Sequence, residues 1–408
     1  MRSFLQRLKP ISAIRNSSVF RSQNTEAQSK HNPVHLPVIL EISKDKPIIQ
    51  MQNIVKIYKT HAGEFPALKG ITADFYPGQF VSIIGKSGSG KSTLLNMITG
   101  IDRPTAGKIL IGDTFLQDLS ESEFSIWRGR NLGIVFQFFQ LLPMLSLLEN
   151  TILPMDFCNI NLPAEREARA LELLRLVGLE NFSHKPPAAV SSGQEQCAAI
   201  ARALANDPPI LVADEPTGNL DSKTAEMVLQ IIDGLVKQGK TIMVVTHDEA
   251  VAQRASRTLV ICDGELVDED ISRAFPTISH RSMLNLSHQL LELIKQPGEN
   301  LFTETNILPG LMLVVDGHLE VASIGEGKLK VIKAGSVLTQ SHLQEFKNSQ
   351  STLHAWSKSP VNIKVIPDED LRNILASSKS LQAVISNMDA ERSQSSARNP
   401  KARERAVD

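Results

Sequence analysis

Three glycines, two lysines and three serines follow one another in Gly85-Lys86-Ser87-Gly88-Ser89-Gly90-Lys91-Ser92, with Thr93 next. Glycines let successive backbone N–H groups turn inward together, and such a nest of donors binds an anion with several oxygens, a phosphate above all. Lys91 adds a point charge for the outer phosphates, and the Ser92 hydroxyl can ligate magnesium. Phosphoryl transfer needs more than a cradle, because the metal and the attacking water each require a fixed partner. Asp214 and Glu215 end the apolar run Ile210-Leu-Val-Ala213 and supply two adjacent carboxylates. Asp214 suits a magnesium held through water, and Glu215 can orient or deprotonate the nucleophilic water. His247 follows a second apolar run, Thr241 to Thr246; a histidine there, taken alone, is more often a satisfied polar residue than a catalytic one.

Positioning these groups requires strands that end at one edge of a sheet. Phe80 to Ile84 reads as a strand entering the glycine loop and Thr93 to Thr99 as the helix leaving it. β-rich runs alternate with helical patterns from Ile48 to Glu269, which predicts an α/β domain over 48–269 with a parallel sheet and ligands at its carboxyl edge. A polar linker is expected over 270–281. A helix candidate, Met283 to Gln296, and short β-rich segments between Pro-Gly, Asp-Gly and Ala-Gly turns predict a second, mostly β domain over 282–388. Residues 389–408 are polar and expected to be disordered. The arm 1–47 is basic at its start (Arg2, Arg7, Lys9, Arg15, Arg21), with Phe4, Leu8 and Ile11 at helical spacing. It reads as a disordered arm, with a membrane-surface contact or an organelle transit peptide as competing readings.

Lysines and arginines number 43 against 44 acids, so bulk positive charge does not drive nucleic-acid binding. No apolar run approaches the length of a membrane-spanning helix. Cys158, Cys197 and Cys262 lie far apart and fit neither a metal knuckle nor an even disulfide framework, so buried small hydrophobes in a reducing compartment are expected.

In this order the motifs resemble the ATP-binding subunit of an ATP-binding cassette (ABC) transporter. Leu141-Leu-Pro143, Leu148-Glu149-Asn150 and Ala213-Asp-Glu-Pro-Thr-Gly-Asn-Leu-Asp221 are similar to the branch containing lipoprotein-releasing, macrolide-exporting and cell-division ATPases. The resemblance implies a P-loop NTPase fold with a helical subdomain, for which the helix-like Ala164 to Val177 is the right material. It implies ATP and Mg2+ as cofactors, adenine stacked on Tyr58, and Gln137 as γ-phosphate sensor and metal contact; Gln140 competes for that role but fits less well. Asp221 falls on the loop that crosses the dimer, and His247 becomes the switch histidine. Ser191, Gly193 and Gln194 of one copy would cover the nucleotide held by another in a homodimer. A separate transmembrane permease is implied, with this chain peripheral on the cytoplasmic face of the inner or plasma membrane. Transport by ATP hydrolysis is the leading reading; the alternative is an ATP-gated regulator with little turnover, suggested by two departures in the signature loop. Ser192 replaces a glycine, which would cost about 1–2 kcal/mol if that position needed positive φ, although its hydroxyl could cap the helix. Cys197 stands in place of an arginine. Slowed hydrolysis is the expectation.

The segment from Met283 to Met388 resembles a cyclic-nucleotide-binding β-roll with flanking helices, through Pro297-Gly298, Asp316-Gly317 and Lys333-Ala-Gly335. Thr339, Gln340 and Ser349 stand where that family places its acid and arginine. No cation is left there for a cyclic phosphodiester, so regulation, docking or dimerisation is expected rather than cyclic nucleotide binding.

Overall fold

Apolar runs too continuous to leave one face in water become the inner strands of a parallel sheet. The computed structural model describes residues 45–61, 63–299, 310–324, 328–339 and 352–387. The basic start of the arm, residues 1–44, and the tail from 388 lie outside these residues. The chain divides into two compact units with the boundary between Glu265 and Leu266.

In the first unit, β1 (Ile49–Thr60) and β2 (Gly63–Phe75) form a long hairpin that continues through β4 (Ala106–Ile111) to β5 (Thr114–Phe115) in an antiparallel sheet. The second sheet contains β3 (Phe80–Ile84), β6 (Leu132–Val135), β7 (Ile210–Asp214), β8 (Thr241–Val245) and β9 (Arg257–Cys262), mutually parallel in the order β9-β3-β8-β7-β6. Every residue of β8 is buried, as expected for strands covered on both faces. Because the strands run together, β3, β7 and β8 deliver Ile84, Asp214 and Val245 to one edge. From that edge α1 (Lys91–Thr99) leaves β3 across Gly90, whose φ of 106° is the left-handed turn glycine permits.

The helical part comprises α2 (Glu121–Asn131), α3 (Leu147–Phe157), α4 (Pro163–Leu176) and α5 (Ser192–Ala203), followed by α6 (Ser222–Lys237) and α7 (Glu249–Arg254). Ser120 and Ser146 begin α2 and α3 with reciprocal bonds to Glu123 and Glu149, and Pro163 opens α4 where its missing N–H costs nothing. Leu147, Met155, Leu173, Leu174 and Ile200 join α3, α4 and α5 in one buried cluster. The expected helix over 164–177 is α4. All three cysteines are buried and none is in a disulfide.

The second unit is mostly β, with corrections to its entrance. The linker expected over 270–281 is helical at α8 (Glu269–Ala274), and Ile271 and Phe275 are fully buried. Two apolar anchors a helical turn apart outweigh the polar composition that suggested a joint. The helix expected over 283–296 is α9 (His280–His288), which stops before β10 (Leu291–Lys295). β10 pairs antiparallel with β16 (Val361–Pro367), which in turn pairs with β11 (Gly310–Asp316). A ladder to a strand far along the chain overrides the local helical spacing of Leu290 to Ile294. A second sheet contains β12 (His318–Ile324), β13 (Lys328–Lys333) and β15 (Thr352–Trp356), while β14 (Val337–Leu338) edges the first and α10 (Asp368–Ser377) follows β16. Lys364 on β16 holds Asp268 at 2.6 Å and Asp270 at 2.7 Å. Thr339 is buried, and Gln340 and Ser349 lie outside the described residues.

Candidate functional site

The carboxyl edge of the parallel sheet opens into a cavity of about 400 Å³. Its wall carries Gly85, Ser87, Gly88, Gly90, Lys91, Ser92 and Thr93 from the glycine loop, together with Gln137, Asp214, Glu215 and His247. Residues scattered over more than half the first unit are thus brought to one place. A side chain at Gly90 would press on the Ala67 carbonyl at 2.7 Å, whereas Gly88 faces nothing within 4 Å. The Ser89 hydroxyl is buried without a partner, an orphaned donor beside the cradle. Lys91 Nζ donates to the carbonyls of Gly85 at 2.9 Å and Lys86 at 3.0 Å, which keeps its charge over the loop.

Burial lifts the Asp214 carboxyl above the ordinary aspartate range; the bond from Ser92 opposes that, Glu215 raises it further and Lys91 lowers it. Ser92, Gln137 and Asp214 are hard oxygen donors on one cavity wall, a set that suits magnesium completed by phosphate and water oxygens. Because folded Asp214 holds its proton more tightly than the unfolded chain does, its contribution favours folding below the unfolded aspartate pKa and fades as pH rises through the raised one. Asp214→Asn is therefore expected to raise the melting temperature of the nucleotide-free protein at pH 7 by a few degrees. The gain should shrink toward pH 4, and magnesium-dependent ATP binding should be lost; calorimetry with and without Mg·ATP reads both.

Glu215 occupies a left-handed backbone conformation, φ 49°, held by its N–H on the Val245 carbonyl at 2.8 Å. That turn aims its carboxylate across the edge, where Oε1 lies 2.9 Å from His247 Nδ1. The carboxylate is mostly covered while the imidazole is exposed, so a base and a movable hydrogen-bonding partner stand together at the cavity mouth.

Other expected site residues are placed differently. Tyr58 is not on the cavity wall: its hydroxyl donates to Asp102 Oδ2 at 3.0 Å, and Lys56 Nζ stands 4.9 Å from its ring centre. The wall aromatic is Phe65, the cross-strand partner of Tyr58 in the β1–β2 hairpin, and it is 54% exposed. Sequence reasoning missed Phe65 because only the hairpin register pairs it with Tyr58. Ser191, Gly193 and Gln194 lie at the start of α5 and do not line the cavity. Ser191 Oγ accepts from Gln194 N–H at 3.3 Å while Gln194 Oε1 accepts from Ser191 N–H at 3.0 Å. Ser192 is the first helical residue and has no positive φ. The condition under which this serine would be strained is therefore not met, and Ser191 rather than Ser192 is the cap. Asp221 caps α6, accepting from Thr224 Oγ1 at 2.7 Å. Cys197 is buried in the core, and burial, with the Asp221 charge adding to it, pushes its thiol up to about 11.

Beyond Gln137 the chain makes a tight turn in which the Gln140 N–H donates to the Phe138 carbonyl and Phe139 and Gln140 have φ of 36° and 56°. For residues with side chains this conformation costs about 1–2 kcal/mol each. Arg202, near the end of α5, reaches across and donates Nη1 to the Gln140 carbonyl at 2.5 Å and Nη2 to the Phe139 carbonyl at 2.7 Å. Hydrogen bonds from a charged donor contribute on the order of 1.5–3 kcal/mol each, enough to offset the strained pair. Burial lowers the Arg202 pKa from its ordinary value, and a guanidinium keeps its charge in a folded protein. Gln140 and Arg202 also line a groove of about 730 Å³ whose other walls include Ile126, Ile134, Leu153 and Phe157. Phe157 is 77% exposed there, and Phe138 and Met144 on the adjoining loop are 75% and 84% exposed.

Comparison with known proteins agrees with this geometry. The ABC transporter family profile matches residues 68–218. An ABC transporter ATP-binding protein of Methanocaldococcus jannaschii, MJ0796, is 45% identical over 232 residues, covering 56% of this chain and 99% of the relative. The macrolide export ATP-binding/permease protein MacB of Marinobacter nauticus is 38% identical over 296 residues, which is 70% of this chain but only 46% of MacB. A solved dimer of the MJ0796 cassette in a post-hydrolysis state with ADP and Pi superposes with a TM-score of 0.53 at 44% identity, covering 54% of this chain and 97% of that one. With the glycine loop, paired carboxylates and histidine gathered at one sheet edge, and a relative matched along almost its whole length, the chain belongs to the ABC transporter family and carries its ATP-hydrolysing cassette.

Proposed function

We propose that two copies of this chain close on two ATP molecules and that the cycle of closure and hydrolysis drives a separate membrane permease. The observation that carries the reading is the convergence of Lys91, Ser92, Asp214, Glu215 and His247 on one cavity. Loop N–H groups and Lys91 would grip the phosphates, and the adenine end would lie toward the β1–β2 hairpin, against Phe65 and Tyr58. Ser92, Gln137 and Asp214 would hold magnesium, which supplies positive charge to the phosphates when bound. Glu215 would take the proton of the attacking water, with His247 orienting the carboxylate and steadying the γ-phosphate. Ser191, Gly193 and Gln194 would complete the site from the other copy, which explains why a single chain leaves them away from the cavity. The regulatory alternative loses one of its two motives, since Ser192 sits in ordinary helical backbone, and the Cys197 departure alone does not favour it over turnover. A hydrolysis rate per chain that rises with chain concentration is the test; a concentration-independent rate would remove the two-copy reading.

The groove beside Arg202 is the surface best suited to the permease, through a short amphipathic segment of that protein. Among the described residues no helix is long and apolar enough to cross a membrane, and MacB is by name an ATP-binding and permease protein in one chain. Phe157→Glu should release the chain from membranes containing its permease while leaving ATPase of the free protein within about twofold, as read by flotation and phosphate release. The second unit fits a regulatory or docking β-roll similar to cyclic-nucleotide-binding domains, without cyclic nucleotide as ligand. The basic arm and the location at the inner or plasma membrane belong to the same proposal.

A further inference from the structure

α5 is capped at its start by Ser191, in the loop that would meet the other copy's nucleotide, and carries in its last turn Arg202, whose guanidinium grips the turn that follows Gln137. One rigid helix therefore has its two ends at two different parts of the catalytic assembly. The grip is specific in kind. Both acceptors are backbone carbonyls of consecutive residues, which a planar fork of donors can hold together and a single ammonium cannot hold in the same geometry. Both residues are in left-handed backbone conformations, so the turn is not one that a relaxed chain adopts by itself. Among the described residues Arg202 takes part in no ion pair, so its charge is directed at this turn. The same residue lines the groove of about 730 Å³.

We infer that Arg202 is a positioning residue: by clamping the Phe139–Gln140 turn to the end of α5, it fixes Gln137 on the cavity wall and ties its placement to the start of α5. Movement of α5 when two copies close, or pressure on the groove, is passed through Arg202 to the loop carrying Gln137. This rests on the proposed two-copy cycle only for its consequence; the clamp itself is tested in the purified full chain without any permease.

Arg202→Lys keeps the charge and removes the fork, and Arg202→Ala removes both. Steady-state hydrolysis should fall about tenfold for Lys and further for Ala, with KM for ATP within about twofold of the parent, because the glycine loop and Lys91 remain intact. Replacing Phe139 and Gln140 by glycine in the Arg202→Lys background lets the turn form without strain, and most of the lost kcat should return. An Arg202→Lys protein with parental kcat overturns the inference. So does a proportional rise in KM, which marks general damage to the nucleotide site, or a failure of the glycine pair to restore kcat in a protein whose melting temperature is unchanged. If the Ala variant does not fold, the Lys variant and its glycine-rescued form decide the question alone. A failed two-copy reading shows instead as a concentration-independent rate in the parent.

Discussion

Glu215→Gln is expected to lower steady-state turnover by ~10²–10⁴-fold, the usual range for removing a positioned general base, while ATP binding survives. The amide has the size of the carboxylate and can still bond to His247 Nδ1, now 2.9 Å from Oε1. Its backbone stays fixed, since the left-handed turn is held by main-chain bonds from Glu215 N–H to Val245 O and from Gly218 N–H to Glu215 O. What is lost is the ability to accept a proton from water at neutral pH. Chains loaded with ATP should then accumulate as pairs that cannot discharge. Phosphate release and size-exclusion chromatography with and without Mg·ATP read the two halves of the result, and normal turnover in this variant would displace Glu215 from its role.

Lys91→Ala is expected to act a step earlier, on binding. Lys91 Nζ is held over the glycine loop by two carbonyls, so this half-buried cation is placed before any phosphate arrives. Loss of a charge-assisted contact of about 1.5–3 kcal/mol corresponds to ATP affinity roughly 10- to 100-fold weaker, and turnover at subsaturating ATP falls with it. The sign of a binding defect is that ATP no longer raises the melting temperature at concentrations that stabilise the parent. Glu215→Gln should keep that thermal shift. Lys91→Ala should not, and a full shift in Lys91→Ala would refute the assignment.

The cavity was legible where chemistry constrains spacing. A phosphate cradle must be local in sequence, and a carboxylate at the end of an apolar strand must emerge at a sheet edge; Lys91, Ser92, Asp214 and Glu215 follow from these two facts. Features that depend on register or on distant contacts were not legible. Phe65 reaches the cavity wall because β1 and β2 pair Tyr58 with Phe65. Whether a serine in place of the glycine at 192 is strained depends on a backbone angle the sequence does not show, and that angle is helical. Leu291 to Lys295 carries helical spacing and forms a strand because β16 offers it a ladder. Arg202 sits among alanines in a helix, and nothing in its neighbourhood indicates that it holds carbonyls 62 and 63 positions earlier.

The order β9-β3-β8-β7-β6 has a consequence for biosynthesis. β3, which feeds the glycine loop, lies between β8 and β9, and Phe80 takes its bond from Ser256, 176 positions later. At ~5–20 residues per second on the ribosome, the nascent strand waits on the order of ten seconds for either neighbour, with its apolar side chains and backbone amides unclaimed. A polypeptide released before β8 emerges would have the loop that recognises triphosphate but neither of the strands that flank β3. The cassette thus becomes competent only when nearly all of its first unit has left the exit tunnel, and quality control during that interval has a well-defined hydrophobic target.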